Sequence, residues 1–134
     1  MPKLPLDSLA DAYRILNPGP VLIISVGDGE HDNLFAVTWN MVVRKAPPMM
    51  AMLSGKGHHS YPFIESTGQF AANVLHADRV DAILGSGSYS GKNVEDKWSL
   101  VGLTRQPAEK IAAPLVAEAV ASLECQVEQI VDLD

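Results

Sequence analysis

The 134 residues carry a net charge of −6 and are 47% hydrophobic and 19% charged, which is the make-up of one globular domain around one core. The acidic balance excludes a nucleic-acid binder, whose partner's phosphates need a basic face. A single cysteine, Cys125, excludes an internal disulfide framework and suits a reducing cytoplasm, and the apolar run Val21–Ile24 is too short for a signal peptide or membrane span.

In chain order, residues 8–16 read as a short helix with Ser8 as its cap, stopped by Asn17-Pro18-Gly19-Pro20. VLIISV (21–26) reads as a buried strand, and the polar stretch 27–33 as the hairpin into the next. LFAVTWNMVV (34–43) reads as one strand, with Ala36, Thr38 and Asn40 on one face and Val37, Trp39 and Met41 on the other. Pro47-Pro48 marks a turn and 49–53 a third strand. A short helix over Tyr61–Thr67 is closed by Gly68, with Pro62 tolerated in its first turn. QFAANVL (69–75) is a strand, 77–85 a helix, and the stretch SGSYSGKN from Ser86 a mobile loop. VEDKWSLVGLT reads as a short helix and turn, APLVAEAV stays ambiguous, and the alternation around Leu123, Cys125 and Val127 marks a half-exposed strand. Strands joined by short helices point to a β-barrel with helical decorations rather than a βαβ sheet.

One stretch stands apart in charge. From Asn33 through Ile64 there is no Asp or Glu, whereas Arg44, Lys45, Lys56, His58 and His59 all fall there. Such a segment suits an anionic ligand. Ser60 reads as a helix cap, or as a hydroxyl that joins the helix N–H groups in holding a phosphate. Ala36, Thr38 and Asn40 read as an ordinary solvent face, or as a surface where a flat ligand approaches the backbone. The loop Gly85–Lys92 is neither GxGxxG nor a P-loop. The four histidines lack metal-ligand spacing, so no metal is expected. Cys125 reads as a core thiol and the cluster Met41, Met49, Met50 and Met52 as core. No catalytic set of side chains stands out, so any hard chemistry belongs to a cofactor.

The run NLFAVTWNMVV, the PP turn, HHSYPFI, FAANVL, YSGKNVEDKW, GLT and LEC together resemble the flavin reductase-like, FMN-binding split-barrel family, of flavoredoxin or archaeal ferric reductase type, over roughly residues 13–131. The resemblance implies a mainly β fold with short helices, a single domain spanning 1–134, and a homodimer with FMN near its interface. By position, Val37, Thr38, Trp39 and Asn40 match the strand along the flavin ring. His58, Ser60 and Tyr61 match the phosphate segment, and Asn73 an asparagine on the following strand. Ser90, Gly91, Lys92, Lys97 and Trp98 match the family's Ser-Gly-Arg…Asp-Lys-Phe loop.

The chain departs from that pattern at several points. Arg44 stands where the family has serine, His58 and Lys92 replace arginines, Trp98 replaces phenylalanine, and one extra residue lies between Lys92 and Lys97. The family also continues with further strands beyond LECQVEQIV. The function implied is an FMN-dependent oxidoreductase using NAD(P)H, with a small molecule or a redox protein as acceptor. The alternatives are an FMN-binding electron carrier without a substrate pocket and a relative of the fold that has lost its ligand.

Overall fold

The computed structural model describes residues 19–133, so the helix expected over 8–16 lies outside the described residues. Apolar strand residues build the centre. β1 (Leu22–Gly27) is buried along its whole length, as a strand covered on both faces must be. It pairs antiparallel with β2 (Asp32–Val37) on one side and with β5 (Gln69–Val74) on the other, and β5 pairs with β8 (Ala121–Gln126). The sheet order is therefore β2-β1-β5-β8.

The expected strand 34–43 is two strands. β2 ends at Val37, and β3 (Asn40–Lys45) leaves the sheet to form a separate two-stranded ribbon with β4 (Pro48–Met52). Asn40 makes the break. Its side-chain amide donates to the carbonyls of Pro20 (3.0 Å), Thr38 (3.3 Å) and Val37 (3.4 Å), and its N–H donates to Thr38 O at 3.1 Å. An asparagine that bonds the nearby backbone competes with the sheet ladder, so the alternating pattern runs on while the strand does not.

α1 (Tyr61–Thr67) ends as expected at Gly68, which is left-handed at φ 64°. A 3-10 turn (Ala77–Arg79) leads into α2 (Val80–Ser88), which runs three residues past the expected stop at Gly85. The extension is held from outside. Ser86 donates to Ala82 O at 2.7 Å, and the buried Lys97 ammonium donates to Ser86 O at 2.8 Å. The stretch expected to be mobile from Ser86 is thus helical through Ser88. α3 (Lys97–Val101) follows, then the short pair β6 (Arg105–Gln106) and β7 (Leu115–Val116), which settles the ambiguous APLVAEAV.

Two core clusters flank the sheet. Ile23, Leu34, Trp98, Val101 and Leu103 pack under α2 and α3, while Leu22, Ile24, Val37, Ile64 and Phe70 pack on the opposite face beside α1. Cys125, Met50 and Met52 join the second cluster from its edge. Met41 does not, being 63% exposed on the ribbon, which corrects the reading of the methionine cluster as core. The molecule is mainly β with short helices, and its sheets do not close among the described residues.

Candidate functional site

β2 is an edge strand, and its open side borders a cleft. Phe35, Ala36, Val37, Thr38 and Trp39 form one wall, and Leu53 and His58 the other. Leu53 N–H donates to Trp39 O at 3.0 Å, which ties the end of β4 across the floor. The hairpin sets the phase of the edge. Asp28 N–H donates to His31 O at 3.0 Å, and the register then runs through Val26↔Asn33, Ile24↔Phe35 and Leu22↔Val37. In an antiparallel ladder, bonded and non-bonded pairs alternate. The backbone groups of Asn33, Phe35 and Val37 are therefore turned to β1, and those of Leu34 and Ala36 to the open edge.

The cleft lies wholly within the acid-free stretch, so no carboxylate of its own walls repels an anion. Its volume of about 130 Å³ is below the roughly 300–1,000 Å³ of pockets that enclose a whole small molecule. One chain offers a wall and a floor, not an enclosure.

Behind the cleft, Asn33 Nδ2 donates to Ser60 Oγ at 2.8 Å, and both residues are almost fully buried. Ser60 adopts helical backbone angles and makes no side-chain capping bond, so it is neither the expected cap nor open to the cleft. Tyr61, half-buried, begins α1 beside it. The loop after α2 docks on this segment. Gly91 lies so close that an added Cβ would sit 2.7 Å from both Asn33 Oδ1 and His59 Cδ2, and Lys92 Nζ donates to Gly57 O at 3.3 Å. Ser90 turns the loop, its hydroxyl accepting from Lys92 N–H at 3.3 Å.

The remaining expected residues are placed differently. Trp98 does not face the cleft: it is 1% exposed in the core, with its indole N–H donating to Asp32 Oδ1 at 2.8 Å. Of the two roles open to it in the sequence, stacking on an exposed ring or anchoring the loop, the packing is that of an anchor. Arg105 completes the anchor with two bonds to the Asp32 carboxylate (2.7 and 2.9 Å), one to Asp96 (3.2 Å), and its guanidinium 5.0 Å from the Trp98 ring centroid. Ser99's hydroxyl, and then Arg105, hold the Asp96 carboxyl below its ordinary range.

Lys97 is 5% exposed and forms no ion pair among the described residues; burial pushes its ammonium down to about 8. Asn73 sits two strands from the cleft. It donates to Ile23 O (2.9 Å) and Ser25 Oγ (3.1 Å) and accepts from Val116 N–H (3.1 Å) and the Ser122 hydroxyl (2.8 Å). Those four bonds use the full capacity of its amide, so in this arrangement it joins β1, β5, β7 and β8 and has nothing left for a ligand.

The structure thus brings together Val37, Thr38, Trp39 and His58 in the cleft, with Asn40 at its end and Ser60, Tyr61, Ser90, Gly91 and Lys92 behind it. Phe35, Leu53 and Asn33 belong to the same constellation and were not among the site residues matched by position. The absence of acid over 33–64 was the signal that included all three.

Comparison with known proteins bears on the family and the fold. The flavin reductase-like domain family matches residues 14–134. The uncharacterised protein YddH of Escherichia coli K12 is 30% identical over 92% of this chain and 66% of its own length. The crystal structure of an FMN-binding domain of a flavin reductase-like enzyme from Shewanella baltica OS155 aligns at a TM-score of 0.77 with 29% identity, over 89% of this chain and 62% of that one. Flavoredoxin of Desulfovibrio vulgaris (Miyazaki F) aligns at 0.84 with 28% identity, over 97% and 69% respectively. The chain spans 66% of the length of two curated relatives and 49% of a third. It belongs to the flavin reductase-like domain family and shares the split-barrel fold of flavoredoxin.

Proposed function

We propose that this protein is an FMN-dependent oxidoreductase that draws electrons from NAD(P)H and delivers them to a flavin or a further acceptor, working as a homodimer in the cytoplasm. The observation that carries the reading is the acid-free cleft along the open edge of β2 in a chain of this family. The donor set suits FMN. Trp39, 44% exposed, offers apolar surface to a flat ring, and the outward backbone groups of Ala36 and the Thr38 hydroxyl offer partners to its polar edge. Lys92, on the loop behind the cleft, supplies a cation for a dianionic phosphate, and His58, in the cleft wall, offers it a ring nitrogen. Bound there, FMN supplies the electron-accepting ring that no side chain of the chain provides.

The residues do the positioning. β2 holds its donors rigidly because it is bonded to β1 along its whole length. Preformed donors of this kind stabilise negative charge on a ring edge without reorganising. The small volume of the cleft supports a shared site, with the exposed apolar ribbon β3–β4 as the surface that meets a second copy.

The test is a titration of the flavin-free protein with FMN and with riboflavin, followed by NAD(P)H oxidation with FMN present. Tight FMN binding and FMN-dependent oxidation are expected. An absence of any flavin binding overturns the proposal. Binding without NAD(P)H oxidation moves it to the second reading, an electron carrier without its own substrate pocket, which the shallowness of the cleft favours.

A further inference from the structure

The loop between α2 and α3 is fastened firmly at its ends and lightly in its middle. At its start, Tyr89 N–H donates to Gly85 O at 3.1 Å. At its end, Lys97 is bonded to Ser86 O and Trp98 is packed in the core, so the two helices are tied together behind it. The middle is exposed at Ser90, Lys92 and Asn93. It rests on the body of the protein through the Gly91 slot and the exposed bond from Lys92 to Gly57 O.

Beneath the slot lies the polar pair Asn33–Ser60, 4% and 2% exposed. An amide and a hydroxyl so far withdrawn from water have lost most of their hydration and keep their mutual bond in exchange. The seated Gly91 stands against Asn33 Oδ1, in the way of an approach to the pair from the loop side. The tether is also one that a ligand can exchange. Lys92 now donates to a neutral carbonyl, and a phosphate oxygen would add the attraction of opposite charges to that bond.

We propose that residues 89–93 are a lid. Gly91 leaves its slot and Lys92 releases Gly57 to admit the anionic end of the ligand to Asn33 and Ser60, and the loop then reseats with Lys92 turned to the anion. The identity of the anion as a flavin phosphate rests on the function proposed above; the opening itself does not.

Gly91→Ala isolates the slot. Its backbone lies outside the left-handed region, so alanine adopts it without strain, yet the added Cβ meets Asn33 and His59 at 2.7 Å, closer than real contacts allow. Hydrogen exchange on the flavin-free variant is read first. Amides of 57–63 are expected to exchange at least tenfold faster than in the parent, with β1 and β5 unchanged. Unchanged exchange at 57–63 overturns the lid.

Stopped-flow mixing with FMN is read second. The parent's observed rate should level off as FMN rises, because opening limits it, whereas Gly91→Ala should give a rising line and at least tenfold faster release. Linear binding in both proteins with equal release rates overturns the gating. Faster exchange with no flavin bound by either protein keeps the lid and removes the flavin reading. If Gly91→Ala does not fold, Lys92→Ala removes the tether without adding atoms, and the same shifts are expected at about threefold.

Discussion

Lys97 is a residue whose chemistry is set by its surroundings. Burial lowers its pKa from 10.5 to about 8, and no carboxylate compensates it among the described residues. The unfolded chain therefore holds this proton more tightly than the folded one. The cost of a buried ammonium is fully present below about pH 8 and is relieved as pH rises toward 10.5. In urea titrations without flavin, the parent should gain on the order of 2 kcal/mol between pH 8 and pH 10 relative to Lys97→Met, which has nothing to titrate there. Parallel pH curves for the two proteins would refute the burial account. If Lys97 serves the phosphate, FMN should also draw a proton onto the protein at pH 8.5 and riboflavin should not, a difference calorimetry in two buffers resolves. Asn73 stands at the opposite pole, with every amide donor and lone pair already used. Asn73→Ala strands the Val116 N–H in the core and should cost about 3 kcal/mol in flavin-free unfolding. An unchanged urea midpoint would remove its structural role.

At the scale of elements, what was readable in the sequence is what local chemistry decides. Pro62 inside the first turn and Gly68 after the last bounded α1 correctly, and the apolar run at 21–26 located β1 to within one residue. Two features stayed hidden because distant partners decide them. The extension of α2 through Gly87 and Ser88 depends on Lys97 reaching back to Ser86, and the break at Thr38–Trp39 on the Asn40 amide reaching Pro20. The site divides in the same way. The wall Val37–Trp39 was legible from its motif, whereas the burial of Ser60 and Trp98 turned on the side chains of Asn33 and Asp32, which sequence position alone does not pair with them. Trp98 is the test of the helical layer. Trp98→Phe removes the indole N–H, but Arg105 still bonds Asp32, so α3 should stay in place. A loss of about 1–2 kcal/mol in unfolding is expected from the smaller ring and the missing bond, with FMN affinity within twofold of the parent. A tenfold loss of FMN affinity would put Trp98 back at the ligand.

For the molecule as a whole, the ribbon β3–β4 leaves apolar surface uncovered. A two-stranded ribbon alone in water is marginal, and this one stands apart from the four-stranded sheet. It also presents Met41 (63% exposed), Val42 (78%) and Val43 (52%) to solvent, consecutive apolar residues on both faces of one strand. Apolar surface gathered in this way is what the proposed dimer would cover, and it adjoins the cleft through Trp39 and Leu53, themselves 44% and 47% exposed. A second copy laid on the ribbon would bury that surface and add the missing wall to a cleft too small to enclose its ligand. The two effects are then linked, because whatever binds only the dimer pulls assembly forward by mass action. Light scattering at micromolar concentration should give twice the chain mass. Val42→Glu places a charge at the most exposed apolar position of the ribbon and should yield a folded monomer, judged by an unchanged β signal in circular dichroism. That monomer should bind FMN at least tenfold more weakly than the parent, and the parent's dimer should withstand dilution better with FMN than without. A Val42→Glu monomer that binds FMN as tightly as the parent would show that the cleft of one chain suffices, and the shared site would be abandoned.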